Sequence, residues 1–332
     1  MKIIYTMTAV LLLLTSCTKE IPDNPKRYTN LFGEYMGQNV PSTKAEVFAP
    51  GVISTGMYER DAAFYPDGSE FYYSVFQNNR GTLVYTKQIN GRWTLPKVVS
   101  FSGIYNDIEP FITHDGKKLY FASNRPIEGS EPKDYDIWYS ERMDDGGWSE
   151  PIVLGPAVNT EANEFYPSLT ENGDLYFTSD NHKSLGKEDI FVSRFVDGAF
   201  LEYENLGDSV NSVDEEFNSF IAPDGSYLIY TTTGFGDGSG GGDLWVCFRK
   251  EDQTWGRPKN LGENVNSRYL DFSPSITPDG KFLFFSSNRL LTREYETRIS
   301  YEQIIREFNN PHNGNGDIFW VSTEVIQNLI QQ

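Results

Sequence analysis

Five acids stand at one offset along the chain. Counting back nine residues from Gly68, Gly116, Gly173, Gly225 and Gly280 gives Glu59, Asp107, Glu164, Glu216 and Asp271. Carboxylates gathered about one axis suit two chemistries: ligation of a hard cation through oxygen, or glycoside cleavage by an acid and a nucleophile, one protonated and one ionised. Two residues further on the types diverge, to Asp61, Glu109, Tyr166, Asn218 and Ser273. Split roles need split environments, and a group repeated by symmetry meets much the same environment each time. The repeated acids are therefore read as structural, accepting hydrogen bonds from groups such as Ser123, Asn124, Arg125, Ser287, Asn288 and Arg289 that also relieve their mutual repulsion. The varying positions carry the functional expectation: Asp61 and Glu109 as acids if the protein is an enzyme, Tyr166 and Asn218 as binding residues. Residues at minus eight (Ile108, Phe165, Phe217, Phe272) and at minus four are expected to pack the core.

The remaining constellations carry less. His114, His182 and His312 fall in unrelated places, and no His or Cys spacing suits zinc. Gly236, Gly238 and Gly241 spell a dinucleotide fingerprint, but the run leads into the strand-like DLWVC where that motif requires a helix. The same loop, with Asp237 and Asp243, reads as a flexible connection before it reads as a calcium loop. No Gly-x-Ser-x-Gly elbow is present. No metal and no cofactor is expected. Trp93, Trp148 and Trp255 hold a fixed offset to the strand that follows them, which marks them as packing between repeats and not as a sugar-stacking set.

The elements that must hold these residues are hairpins. DIEPFITHDGKKLYFASNR from Asp107 returns as EFYPSLTENGDLYFTSDN, EFNSFIAPDGSYLIYTTTG and DFSPSITPDGKFLFFSSNR, and ERDAAFYPDGSEFYYSVF is an earlier, worn copy. The turn glycines lie 48, 57, 52 and 55 residues apart, a period that signals propellers or solenoids. A third strand opened by an acid (Asp136, Asp189, Asp243, Asp317) follows each later hairpin, and a fourth strand opens on Trp-x-x-Pro at Trp93, Trp148 and Trp255, with Phe200 and Tyr203 in the equivalent places of FLEYENLG. The last hairpin has no such fourth strand, whereas AEVFAPGVIST from Ala45 precedes the first hairpin. Pairing the two closes the ring and removes the open edges. The expected fold is all-β: a five-bladed propeller of four-stranded antiparallel blades, residues 45–322, closed by an N-terminal strand on the last blade.

The Pro-Asp-Gly turn followed by Lys-x-Leu-Tyr/Phe-Phe-x-Ser-Asn-Arg resembles the WD40-like Pro-Asp repeats of TolB-type propellers of the bacterial envelope. The match rests on Asp115, Gly116, Asp224, Gly225, Asp279 and Gly280, and it departs at Glu171-Asn172 and in the first copy. The resemblance implies a protein-binding propeller.

Lys2, an apolar run through Leu14, and then Thr15, Ser16 and Cys17 form an export signal too short to span a bilayer. Leu14-Thr15-Ser16-Cys17 resembles the lipobox of bacterial lipoproteins, which implies acylation at Cys17 after removal of residues 1–16. An outer-membrane address is then expected, with residues 17–44 as a lipid-anchored tether. Cys247, the other cysteine of the chain, sits in the apolar run LWVCF and reads as a small buried hydrophobe. Within the long insertion 290–316, Ser300-x-x-Gln303 is a capping box that predicts a helix over 301–308. Val325, Ile326, Leu329 and Ile330 predict a second helix over the tail, residues 323–332. A net charge of −19 repels nucleic acid and anionic headgroups, so membrane contact is expected through the lipid anchor alone. The long connections (126–135, 181–188, 233–242, 290–316) all join second to third strands and open on one face. The expected function is a non-catalytic, envelope-anchored propeller that binds a protein or glycan partner through that face. The alternative is a carbohydrate-active enzyme, a glycosidase or lyase, with acids near the central channel.

Overall fold

Each Pro-Asp-Gly-type turn brings two runs of β-branched and aromatic residues into antiparallel register, and five such hairpins become the inner halves of five sheets in a computed structural model of the chain. The structure describes residues 31–129, 131–236, 238–290 and 298–330. The turn glycines adopt positive φ, as Gly116 does at +70°, and a Cβ there would also lie 2.6 Å from the Tyr65 hydroxyl. Only glycine meets both demands.

Blade 1 is built on Tyr58–Phe64, Glu70–Gln77 and Arg80–Ile89, with Lys97–Val98 outside. Blades 2 to 4 have inner strands Asp107–Ile112, Glu164–Leu169 and Glu216–Ile221, and each adds three strands outward. Blade 5 contributes Asp271–Ile276, Phe282–Ser287 and Asp317–Ser322, and its fourth strand is Glu46–Val47 from the far end of the chain. Val47 pairs with Phe319 and Glu46 with Trp320, so the circle closes as five blades. The fold expected from the repeats is the fold observed.

Fourth strands are shorter than the repeats suggest, two residues in each blade. In the three blades that carry Trp-x-x-Pro, the proline has no N–H to give to the ladder: the tryptophan pairs before it, with Gln88, Arg142 or Arg249, and pairing resumes after it. The tryptophans pack across the seams. Trp148 Nε1 donates to the Tyr72 hydroxyl of blade 1 at 2.9 Å, and Trp255 meets Tyr176 of blade 3 edge-on. Trp93 instead donates to the carbonyl of Gly33.

That last contact revises the N-terminal boundary. Cys17 and the expected signal segment lie outside the described residues, but residues 31–44, expected within a tether, pack on the ring. Leu31 and Met36 are buried, and Tyr35 meets Phe64 and Phe282 edge-on and lies tilted against Trp320. Apolar residues in a polar stretch were enough to dock it.

Helix α1, Tyr301–Phe308, starts at Ser300, whose hydroxyl accepts from Gln303 N. It buries no residue: Ile304, Ile305 and Phe308 stay exposed, so α1 stands on the rim. Helix α2, Glu324–Ile330, buries Ile326 against blade 5, with Val325 and Leu329 alongside, while Ile330 is exposed. Cys247 is fully buried, its thiol pushed up to about 12 by desolvation.

Candidate functional site

The repeated acids open the inner strands, and each finds donors close by. Glu164 accepts from the amide and hydroxyl of Thr160 at 3.0 and 2.7 Å, and Glu216 from those of Ser212 at 2.5 and 2.7 Å. Ser267 and Thr55 serve Asp271 and Glu59 in the same way. Asp107 differs. Four residues before it stands Gly103, which has no hydroxyl, and Ser123 and Arg125 supply the donors at 2.7 and 2.5 Å. The donors thus come from a hydroxyl four residues upstream and from the end of the second strand, where Ser179 serves Glu164 and Thr232 serves Glu216 as Ser123 serves Asp107. Arg125 and Arg289 are the members of the Ser-Asn-Arg triplet that reach an acid through their guanidinium. Three sites share one further residue: Asn159, Asn211 and Asn266 precede the hydroxyl, and each ties the third strand of one blade to the connection leading into the next.

Alternation along the inner strands breaks after the minus-eight residue. Every inner strand has a register shift there, and the minus-seven residue has positive φ: Asp61 +66°, Glu109 +61°, Tyr166 +49°, Asn218 +50°, Ser273 +54°. Such a bulge re-aims a side chain. The minus-seven residues therefore do not share the face of the minus-nine acids, as strict alternation predicts, but meet at the axis. The freed backbone amides donate to hydroxyls of the preceding blade, as Asp61 N to Ser286, Glu109 N to Ser74 and Asn218 N to Thr178. Blade 2 has Ala122 at that place in its second strand, and Tyr166 N donates instead to the Glu109 carboxylate at 2.8 Å.

At the centre lies a residue the sequence reading left out. Arg60 occupies minus eight in blade 1, where the other blades carry Ile108, Phe165, Phe217 and Phe272. Its Nε donates to Asp61 Oδ1 at 2.6 Å, and its Nη2 to Glu109 Oε1 at 2.7 Å. Asn218 Nδ2 also donates to Glu109 Oε1, at 3.2 Å, and the Ser273 hydroxyl to Asp61 Oδ1 at 2.6 Å. The guanidinium lies over Phe272 and Phe76, 4.8 and 5.7 Å from their centroids. The signal was visible as one charge in an apolar row.

This polar layer separates two cavities of about 300 Å³ each. On the side of the Pro-Asp-Gly turns, the first is lined by Pro110, Pro167, Pro274 and the turn residues His114 and Glu171, with Tyr166 at its wall. On the side of the long connections, the second is a funnel with Arg60, Glu109 and Asn218 at its base and Tyr58, Tyr135, Phe165, Phe217 and Glu188 around it. Phe165 and Phe217, expected in the core, are half-buried funnel walls.

Burial dominates the electrostatics. Glu109 is pushed up to about 7 by desolvation, against the pull of Arg60 and with Asp61 adding to the rise. The phenol of Tyr166 is raised well above its usual value by burial and by Asp61 and Glu109. Glu188 is raised by burial and by the acids Glu215 and Asp180 beside it. Asp61 is buried, and its Oδ2 has no hydrogen-bond partner. Among the described residues no group of His, Cys, Asp or Glu is arranged to hold a metal ion; Asp237 of the glycine-rich loop lies outside them, and Asp243 accepts from Ser239 N and Asn260 Nδ2. His114 Nε2 contacts the Leu169 carbonyl at 2.9 Å, and His182 is exposed.

No protein-family model matches the chain, and no curated protein matches it. Among solved structures, the catalytic domain of a GH62 α-L-arabinofuranosidase from Coprinopsis cinerea matches at TM-score 0.51 and 10% identity, over 86% of this chain and 98% of that one. TolB from Acinetobacter baumannii matches at TM-score 0.47 and 15% identity, over 80% of this chain. TolB-type propellers are among its structural neighbours. The chain spans 57% of the length of the Acinetobacter protein. The periplasmic gluconolactonase of Pseudomonas aeruginosa matches at TM-score 0.41 and 14% identity, over 69% of this chain and 65% of that one. At such identities the likeness is one of fold, and fold alone does not assign chemistry.

Proposed function

We propose that the protein is a non-catalytic propeller that binds a protein or glycan partner across the face onto which its long connections open. The observation that carries this reading is Arg60. Its guanidinium engages both Asp61 and Glu109, at 2.6 and 2.7 Å, and both acids are buried. A glycosidase needs its two carboxyls on either side of an accessible bond, with one free to give a proton. Here both are tied to one cation beneath the funnel. Function on a repeat scaffold is carried by its connections, and Met57, Leu185, Val213 and Phe308 leave apolar surface exposed on them. Leu14-Thr15-Ser16-Cys17 supports lipid anchoring in the outer membrane, and among the described residues no helix is long and apolar enough to cross a membrane.

The enzymatic alternative, a carbohydrate-active propeller, has one observation in its favour. Glu109, held at about 7, is poised as a general acid. The two readings separate in a turnover assay on arabinosides and other glycans. No turnover above buffer is expected, whereas turnover abolished by Glu109→Gln in a folded protein overturns the proposal. Deletion of residues 290–316 is expected to weaken capture of an envelope partner, and capture that is unchanged when this and the other long connections are shortened counts equally against it.

A further inference from the structure

We propose that the funnel is a receptor site for an organic cation, the ammonium or guanidinium end of a lysine or arginine side chain on a partner polypeptide. The inference rests on the partner-binding reading and names what enters the ring. Three observations carry it.

The first is the wall. Tyr58, Tyr135, Phe165 and Phe217 are half-buried around a cavity of about 300 Å³, which has room for one long side chain. Aromatic faces attract cations, more strongly once water is excluded. Arg60 demonstrates the chemistry, since its own guanidinium sits over Phe272 and Phe76 at the base of the same cavity.

The second is charge balance. One guanidinium, that of Arg60, faces three carboxylates, those of Asp61, Glu109 and Glu188. Neighbouring lysines do not make up the difference. Lys187 is held by Glu215 at 2.9 Å, and Lys133 by Asp134 and Asp136 at 3.0 and 2.8 Å. With all three ionised the site keeps two uncompensated negative charges, and an entering anion would meet those acids. A chain of net charge −19 also draws cations towards a concave mouth.

The third is Glu188. It lines the funnel, and among the described residues no donor reaches its carboxylate. Its neighbours are acids: Glu215, bridged to it along the backbone, and Asp180. Beside this seam the exposed Leu185 and Val213 give a partner chain apolar surface to lie on.

The test uses the full chain and short capped peptides, Ala-Lys-Ala, Ala-Arg-Ala and Ala-norleucine-Ala, with cadaverine and a neutral hexose as further probes, followed by calorimetry. The Lys and Arg peptides are expected to bind about tenfold more tightly than the norleucine peptide, a gap of the size a desolvated cation–π contact with a carboxylate supplies. Glu188→Gln and, separately, Phe217→Leu are expected to remove most of that gap with the melting temperature unchanged. Binding is expected to strengthen from pH 6 to 8. A cation favours ionised carboxylates, and Glu109, which faces Arg60, Asp61, Asn218 and the Tyr166 amide, is held at about 7, while Glu188, facing Glu215, Asp180 and Arg60, is also raised. Equal binding of the norleucine peptide, binding of the hexose in its place, or indifference to Glu188→Gln overturns the cation site. Cadaverine binding as tightly as the peptides overturns the assignment to a polypeptide. If no peptide binds while shortened connections still abolish partner capture, the funnel inference alone falls; glycan turnover would instead remove the functional reading beneath it.

Discussion

Arg60 is the residue on which the centre of the ring depends. It compensates two buried carboxylates and packs on two aromatic rings. Removing one partner of a buried ion pair leaves an uncompensated charge, which costs about 3–5 kcal/mol. Arg60→Met is therefore expected to lower unfolding free energy by that amount at pH 7.5 in urea denaturation. It should lose less at pH 5, where Glu109 is protonated in the folded state. A loss under about 1 kcal/mol at pH 7.5, the scale of an exposed pair, would show that solvent screens the layer. The importance of Arg60 was readable as the single charge in the minus-eight row. The row itself is apolar in the other four blades and reads as core, which masks the position.

Among elements, the connection from a fourth strand to the next inner strand does more than close a loop. In Val158-Asn159-Thr160, Val210-Asn211-Ser212 and Val265-Asn266-Ser267 the valine is buried, the asparagine bridges backbone, and the hydroxyl caps the acid four residues on. Asn211 accepts from Ile190 N and donates to Ile190 O and Asn205 Oδ1. Asn211→Ala strands buried backbone groups, at a cost of about 1–3 kcal/mol each for those left unsatisfied. Its melting temperature is expected to fall clearly, while Asp252→Ala in an exposed turn should stay near wild type. Equal effects would mean that water replaces the asparagine. The inner-strand bulge is the second device at this scale. It is illegible in the residues because Asp, Glu, Tyr, Asn and Ser share only polarity, which marks no bulge, whereas the feature that makes the bulge is a common backbone conformation.

Over the whole molecule, closure is the cooperative event. Phe48, next to the closing strand, is fully buried against Phe71 of blade 1 and Phe284 and Trp320 of blade 5. Phe48→Ala is expected to cost about 3–5 kcal/mol and to broaden the thermal transition as the first and last blades lose their lock. An unbroadened transition with a loss under about 1 kcal/mol would mean that the ring holds without this lock. The pH dependence is also a property of the whole. Glu109, Glu164 and Asp317 are all pushed up to about 7, chiefly by burial. A carboxyl with a raised folded value keeps its proton where the unfolded chain has lost it. Stability thus falls as pH rises from the ordinary carboxylate range through about 7, by up to about 1.4 kcal/mol per unit for each group. The melting temperature is expected to be higher at pH 5.5 than at pH 8, and the opposite order would contradict the burial of these acids.

Blade number, strand order, the closing strand and both helices were determined by the sequence alone. Each depends on contacts close along the chain or on a pattern repeated along it: a turn that pairs its own flanks, a capping box, a missing fourth strand. The chemistry of the axis was decided only by tertiary structure. Arg60 and Ser273 stand 213 residues apart and meet because a closed ring brings every inner strand to one line. Which side chains point along that line was settled by a bulge that breaks the two-residue period. The docking of residues 31–44 came the same way, since Leu31 and Met36 gain a buried surface only when blades 1 and 5 stand side by side.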